Sequence, residues 1–81
     1  MPAVTVISKP GCNPCRMTKK KLDALGVDYT ERDLSDDPEA YDLAVGLGHQ
    51  SAPVVVVERP GEPVEHWSGF RMDKIAALAG A

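Results

Sequence analysis

Two hydrophobic patterns alternate along this chain and predict its secondary structure. Short runs rich in β-branched residues are typical of strands, whereas apolar residues spaced three or four apart are typical of helices. Together the patterns predict the order β-α-β-α-β-β-α. Strands are expected at residues 3–8, 27–34, 53–58 and 64–67, and helices at about residues 13–25, 35–48 and 71–80.

The first predicted helix carries one apolar stripe and a proline near its start. Cys15, Thr18, Leu22 and Leu25 recur at spacings of three, four and three, so a helix places them on one side. Pro14 suits the first turn, where its missing N–H costs little. We therefore expect this stripe to be buried.

The second half of the chain predicts a helix, a buried strand and a hairpin. Ser35 or Asp36 can cap the second helix, and Pro38 suits its first turn. The apolar run at residues 53–58 is typical of a strand buried on both faces, and the Pro-Gly pair at residues 60–61 is typical of a tight turn. The apolar side of the second helix is expected to be formed by Ala40, Leu43, Ala44 and Leu47.

The order of elements limits the possible folds. A strand–helix–strand start implies a right-handed parallel crossover, and the hairpin completes a sheet flanked by helices. With a C-x-x-C motif directly after the first strand, this order indicates a thioredoxin-like α/β fold with a central four-stranded mixed sheet and three helices. At 81 residues the chain is long enough for one small domain, which we expect to cover residues 1–81 and to be monomeric.

Composition and net charge exclude several classes of protein. The chain is 43% hydrophobic and 26% charged, which is ordinary for a globular domain and unlike a disordered one. Its net charge of −3 argues against a general nucleic-acid binder. The apolar run near the start is too short for a secretion signal or a membrane span, so a cytoplasmic location without membrane attachment is expected.

The charges are segregated along the sequence. A basic segment surrounds the cysteines and an acidic segment follows it. Each can simply be a solvated face, or the basic one can attract an acidic partner near the cysteines. The basic segment consists of Lys9, Arg16, Lys19, Lys20 and Lys21, and the acidic segment of Asp28, Glu31, Asp33, Asp36, Asp37, Glu39 and Asp42.

Cys12 and Cys15, three positions apart, admit three interpretations. A permanent disulfide over so short a loop stabilises little and is open to reduction in the cytoplasm. A zinc site needs four ligands, and His49 and His66 are seventeen positions apart, so a metal site would have to be shared between two chains. A working dithiol is the interpretation that the position of the pair favours.

Cys12 is predicted where the loop meets the helix N-terminus. Unpaired N–H groups and the helix dipole stabilise a thiolate there, and Lys9 and Arg16 can add to this effect. Cys15 lies one turn further in, on the buried stripe, so its thiol is expected to stay protonated. Cys12 is thus the expected nucleophile and Cys15 the resolving thiol, in a loop that Asn13 and the stiff Pro14 complete.

Three stretches of the chain, in the same order, resemble the NrdH-redoxins: "TVISKPGCNPC", "SAPVVVVE" and "WSGFRMDKIAALAG". The resemblance implies a glutaredoxin-like fold with thioredoxin-like behaviour. It also implies that electrons pass from NADPH through thioredoxin reductase to class Ib ribonucleotide reductase, without a bound cofactor or metal. The Asn13-Pro14 pair and Met72 depart from the residues that are common in the family.

The resemblance also assigns a partner-binding surface. Ala52 and Pro53 match the position of the cis-proline that faces the active site in thioredoxin-like folds, and the Ala52 backbone is implied to pair with a substrate peptide. A docking surface beside Cys12 is further expected from Trp67, Gly69 and Phe70, unless the aromatic residues pack in the core. Ser68 and Arg71 are expected to fix the turn or to cap the last helix.

Two alternative functions remain open at this stage. A glutathione-dependent glutaredoxin is disfavoured because Ser68, Gly69 and Phe70 occupy the place of a Gly-Gly-acid sequence that commonly binds glutathione. A carrier of metal or iron–sulfur clusters could use the cysteines as ligands across a dimer. His49 and His66 are predicted to be ordinary surface or strand residues.

Overall fold

Seven elements follow one another in the predicted order in a computed structural model that describes residues 2–79. Most boundaries differ from the prediction by one to three residues. The elements are β1 (Ala3–Ser8), α1 (Asn13–Ala24), β2 (Thr30–Asp33), α2 (Pro38–Gly46), β3 (Val54–Glu58), β4 (Glu65–Ser68) and α3 (Met72–Ala79).

The four strands form one mixed sheet in the order β2-β1-β3-β4, which confirms the predicted thioredoxin-like architecture. β1 runs parallel to β2 and antiparallel to β3, and β3 and β4 form an antiparallel hairpin. Because β3 lies inside the sheet, helices cover it on both faces, and its four valines are all buried. The apolar run therefore forms the predicted central strand.

The sheet divides the core into two hydrophobic clusters. Alternate residues of β3 point to opposite faces, so Val55 and Val57 join one cluster whereas Val54 and Val56 join the other. The cluster on the side of α1 and α3 contains Val4, Val6, Leu22, Val55, Val57, Trp67, Ile75 and Leu78. The cluster on the side of α2 contains Ile7, Ala40, Ala44, Val54 and Val56.

The predicted stripe of α1 is buried except at its last residue. Cys15, Thr18 and Leu22 are buried, but Leu25 is 37% exposed, so its predicted burial is wrong. The helix ends at Ala24, and Leu25 is the C-cap. The chain turns away immediately afterwards through Gly26, whose positive φ of +71° favours glycine.

The stripe of α2 is narrower than the sequence predicts, and the helix starts later. Ala40 and Ala44 face the sheet, whereas Leu43 lies beside them and is 38% exposed, so the buried stripe is narrower than the predicted apolar side. Asp37 caps the helix, in place of Ser35 or Asp36, by accepting the backbone N–H of Ala40 at 3.1 Å. The backbone N–H and the hydroxyl of Ser35 instead donate hydrogen bonds to the carboxylate of Asp33 in the preceding turn.

β2 is shorter than predicted because the chain first completes the end of α1. The backbone N–H of Val27 donates to the carbonyl of Leu22 at 2.9 Å, so Val27 belongs to the turn that closes the helix. The predicted end of α3 at Gly80 lies outside the described residues. Within residues 2–79, no helix has the length and apolar character needed to cross a membrane.

The different burial of two leucines on α1 gives a test of the core. We expect Leu22→Ala to lower the free energy of unfolding by about 2–5 kcal/mol, because it leaves a cavity in the cluster beneath α1. The matched control Leu25→Ala should cost less than about 1 kcal/mol because that side chain is largely solvated. Urea unfolding at equilibrium measures both values, and equal losses would contradict this description of the core.

Candidate active site

The loop after β1 delivers both cysteines to the start of α1. Gly11, with a φ of +71°, turns the chain so that Cys12 becomes the N-cap residue and Cys15 falls in the first turn of the helix. The two residues are joined by a disulfide, with their Cα atoms 5.2 Å apart. Pro14 occupies the first turn, as the sequence predicts.

The two cysteines differ in exposure and in surroundings. Cys15 is only 2% exposed, whereas Cys12 is half-buried and reaches the surface. The backbone N–H of Cys15 donates to the sulfur of Cys12 at 3.1 Å. No acidic residue lies in the first turn of α1 to oppose a negative charge on that sulfur. The arrangement therefore favours a thiolate at Cys12 once the disulfide is reduced.

The basic residues near the cysteines have different partners. The guanidinium of Arg16 donates to the side-chain oxygen of Asn13 at 2.9 Å, on the exposed side of the helix start. Lys9 is exposed and lines a cleft of about 400 Å³ that both cysteines also line. Positive charge is therefore present beside the sulfurs, as the sequence predicts.

The cleft also contains a polar group that sequence analysis missed. Glu31 of β2 accepts hydrogen bonds from Lys19 and from the hydroxyl of the buried Ser8, the latter at 2.9 Å. These two bonds lower the pKa of Glu31 and keep its carboxylate ionised. Ser8 is the last residue of β1, directly before the cysteine loop. Its place at the end of that strand is the sequence signal that could have indicated that Ser8 lies near the cysteines.

Ala52 and Pro53 lie opposite Cys12. Their peptide bond is cis, as the resemblance implies, and the carbonyl oxygen of Ala52 is 3.7 Å from the Cys12 sulfur. The backbone N–H of Gly69 donates to the carbonyl of Pro53 at 2.9 Å, which ties this loop to the segment after β4. The fold thus brings the Ala52-Pro53 loop to the Cys12 sulfur, and the segment after β4 holds that loop by one backbone hydrogen bond.

The predicted docking surface is only partly at the surface. Trp67 is 4% exposed and belongs to the cluster with Ile75 and Leu78, so of the two expectations for this side chain the structure fits packing in the core. Phe70 is partly buried against the same cluster. Gly69 presents its backbone beside the loop that faces Cys12, where its N–H bonds the Pro53 carbonyl.

Ser68 makes contacts at the end of strand β4, and Arg71 makes contacts at the start of helix α3. Ser68 pairs with Val54 at the end of β4. The guanidinium of Arg71 donates to the carboxylate of Asp73 at 3.2 and 3.0 Å, and the carbonyl of Arg71 accepts the N–H of Ile75. These contacts fit the expectation that Arg71 fixes the start of the last helix.

Two histidines that the sequence did not connect are in contact. Nε2 of His49 and Nδ1 of His66 are 2.8 Å apart. Seventeen positions separate them, so only the folding of the chain places them together. In the part of the chain that the structure describes, no group of three or more His, Cys, Asp or Glu side chains is arranged to hold a metal ion.

A C-x-x-C pair at a helix N-terminus, opposite a cis-proline loop in this fold, defines a thioredoxin-fold thiol–disulfide oxidoreductase. Residues 4–60 match the glutaredoxin family. The chain therefore belongs to the glutaredoxin family, and 33% identity to a glutaredoxin-like NrdH protein over 94% of the chain places it among the NrdH proteins.

The relatives support this assignment along nearly the whole chain. The glutaredoxin-like protein NrdH of Lactococcus lactis subsp. cremoris is 33% identical over 94% of this chain and 99% of its own length. The Gene 56 protein of Mycobacterium phage L5 is 45% identical over 89% of this chain and 70% of its own length.

A solved structure shows the same fold. The glutaredoxin-like protein NrdH-redoxin from Escherichia coli, which has a thioredoxin-like activity profile, superposes with a TM-score of 0.79 and 30% identity. The match covers 94% of this chain and 93% of that one.

Proposed function

We propose that this protein is an electron carrier that takes electrons from NADPH through thioredoxin reductase and delivers them to class Ib ribonucleotide reductase. The observation that carries the proposal is the Cys12–Cys15 disulfide at the start of α1, with its outer sulfur facing the Ala52 carbonyl. Membership of the NrdH proteins supports the choice of partners. Such a carrier works in the reducing cytoplasm and needs no cofactor of its own.

The first half of the reaction uses the exposed cysteine. In the reduced protein, the Cys12 thiolate attacks one sulfur of the target disulfide and forms a mixed disulfide, and the other target sulfur leaves as a thiolate that takes up a proton. A thiol with a pKa near 8.5 is only about 3% ionised at neutral pH, whereas one with a pKa near 7 is about half ionised. The N–H of Cys15 supports the ionised form of Cys12.

The second half of the reaction uses the buried cysteine. Cys15 loses its proton and attacks the Cys12 sulfur, which releases the second target thiol and leaves the Cys12–Cys15 disulfide. Two electrons thus pass from the protein to the target. Thioredoxin reductase then returns two electrons from NADPH to restore both thiols.

The neighbouring backbone is suited to hold an extended target segment. Ala52 and Pro53 are buried as side chains, but the Ala52 carbonyl lies beside the reacting sulfur, where a peptide strand can pair with it. Lys9 lies near both sulfurs and adds positive charge for an acidic target.

Three features support thioredoxin reductase over glutathione as the electron source. Phe70 stands where glutathione-binding glutaredoxins commonly carry a small residue or an acid, and it packs against the core cluster. The Escherichia coli relative has a thioredoxin-like activity profile, which we extend to this chain. Pro14 directly before Cys15 is also the thioredoxin arrangement.

NADPH consumption distinguishes the two electron sources. With a disulfide substrate, we expect turnover in the presence of thioredoxin reductase, and little turnover with glutathione and glutathione reductase. The same protein preparation serves in both assays, so inactive protein cannot mimic the difference. Turnover with glutathione alone would contradict the proposed partner.

Substitution of each cysteine separately tests their roles. Cys15→Ser should accumulate a mixed disulfide between Cys12 and the target, because the resolving step is blocked. The matched variant Cys12→Ser should trap little, because Cys15 is only 2% exposed. Non-reducing electrophoresis with mass spectrometry detects the adducts, and equal trapping by the two variants would refute the assignment.

A further inference from the structure

The contact between His49 and His66 has a defined geometry. Their rings are nearly perpendicular, with an interplanar angle of 82° and centroids 4.9 Å apart, and Nε2 of His49 lies 2.8 Å from Nδ1 of His66. This is the distance of a direct hydrogen bond between two imidazoles. They are the two histidines of the chain, so each can be followed separately in solution.

The histidine pair connects the loop of residues 48–53, which precedes β3, to strand β4 of the sheet. His49 lies between the end of α2 and the Ala52-Pro53 turn, and His66 lies on the edge strand β4, opposite Val56. Within residues 2–79, no other side-chain hydrogen bond joins residues 48–53 to a strand. The remaining tie of this loop to the region of β4 is the backbone bond from Gly69 to Pro53.

We propose that His49 and His66 are positioning residues, whose ring-to-ring hydrogen bond holds the loop of residues 48–53 so that the Ala52 carbonyl faces Cys12 and an incoming target peptide. This inference rests on the proposed function, because it assigns a role in target binding. It adds that target binding weakens when the histidine pair becomes doubly protonated.

The proton dependence follows from the donors and acceptors of imidazole. The contact needs an N–H on one ring and a bare nitrogen on the other. A neutral pair satisfies this requirement, and so does a pair with one extra proton. A second extra proton puts an N–H on both nitrogens, so the hydrogen bond is lost and two positive charges face each other.

The surroundings of His49 disfavour a positive charge on its ring. His49 lines a cavity of about 350 Å³ together with Lys9, which follows β1, and Tyr41 of α2, and no carboxylate lines this cavity. Strand β3 contributes Val54 to the lining, and Glu58 lies further along β3, two residues beyond Val56 on the same face. No carboxylate that lines the cavity therefore compensates a positive charge on His49.

The direction of the pH effect follows from His49. Burial, and to a smaller extent the charge of His66, lower the pKa of His49. Because the pKa is lower in the folded chain, the stabilisation from neutral His49 is present above the unfolded value of about 6.5. It is lost as the pH falls through the lower folded value.

A double variant can keep a hydrogen bond between positions 49 and 66 and remove the ionisable side chains. In His49→Gln/His66→Gln, the two amides can still form a hydrogen bond, but neither ionises in this range. The single variant His49→Ala removes the tie at every pH. Tyr41→Phe is a matched control, because it changes a cavity residue for which no hydrogen bond to the pair is found.

The assay follows single turnover of the reduced protein with a synthetic disulfide peptide by quenched flow. At about pH 7.5, His49→Ala should lower the rate constant at low peptide concentration about two- to tenfold, as expected for one lost hydrogen bond. The limiting rate at saturating peptide should not change. The double variant and Tyr41→Phe should match the wild type there. As the pH falls below about 6.5, the wild type should fall progressively below the double variant, by up to a similar factor.

Protonation of Cys12 at low pH slows the wild type and the double variant alike. The difference between their rates therefore reports on the histidine pair and not on Cys12. Alkylation of Cys12 by iodoacetamide should proceed equally in all variants, which separates positioning of the loop from ionisation of the thiol. Identical pH profiles for the wild type and the double variant, or wild-type rates for His49→Ala, would overturn the inference. Because the electrons come from chemically reduced protein, a failure to couple with thioredoxin reductase would contradict only the proposed function.

Discussion

The hydrogen bond from the first turn of α1 to the sulfur of Cys12 is the contact on which the chemistry depends. It exists because Gly11 turns the chain, Cys12 caps the helix and Pro14 fixes the first turn. The same turn buries Cys15, three positions after the cysteine that carries the reacting sulfur. The sheet and the cis-proline loop then place the Ala52 carbonyl against that sulfur, so every part of the proposed reaction meets at the helix start.

Features with a local cause could be predicted from the sequence. Apolar spacing predicted all seven elements, because the two periodicities reflect burial on one side of a helix or within a sheet. Leu25 was misplaced, and the buried stripe of α2 is narrower than its predicted apolar side, because spacing alone does not show where a helix ends or how wide its contact with the sheet is. Trp67 was ambiguous for a related reason, since a strand end next to a functional loop can face either the core or a partner.

Contacts between distant segments could not be predicted. Glu31 meets Ser8 and His49 meets His66 because strand register and loop path bring together residues that are far apart in the sequence. Neither pair forms a spacing motif, so no pattern in the chain indicates it. The first contact lies in the cleft that both cysteines line, and the second involves the loop that carries the Ala52 carbonyl, so residues outside the C-x-x-C motif shape the site.

The most direct test of this account is the pKa of the Cys12 thiol in the reduced Cys15→Ser variant, measured by ultraviolet thiolate absorbance and by the pH dependence of alkylation. The helix start and its N–H donor predict a value near 7, well below that of free cysteine. A value of about 8.5 or higher would contradict the account, because the outer sulfur would then lack the stabilised thiolate that the electron transfer requires.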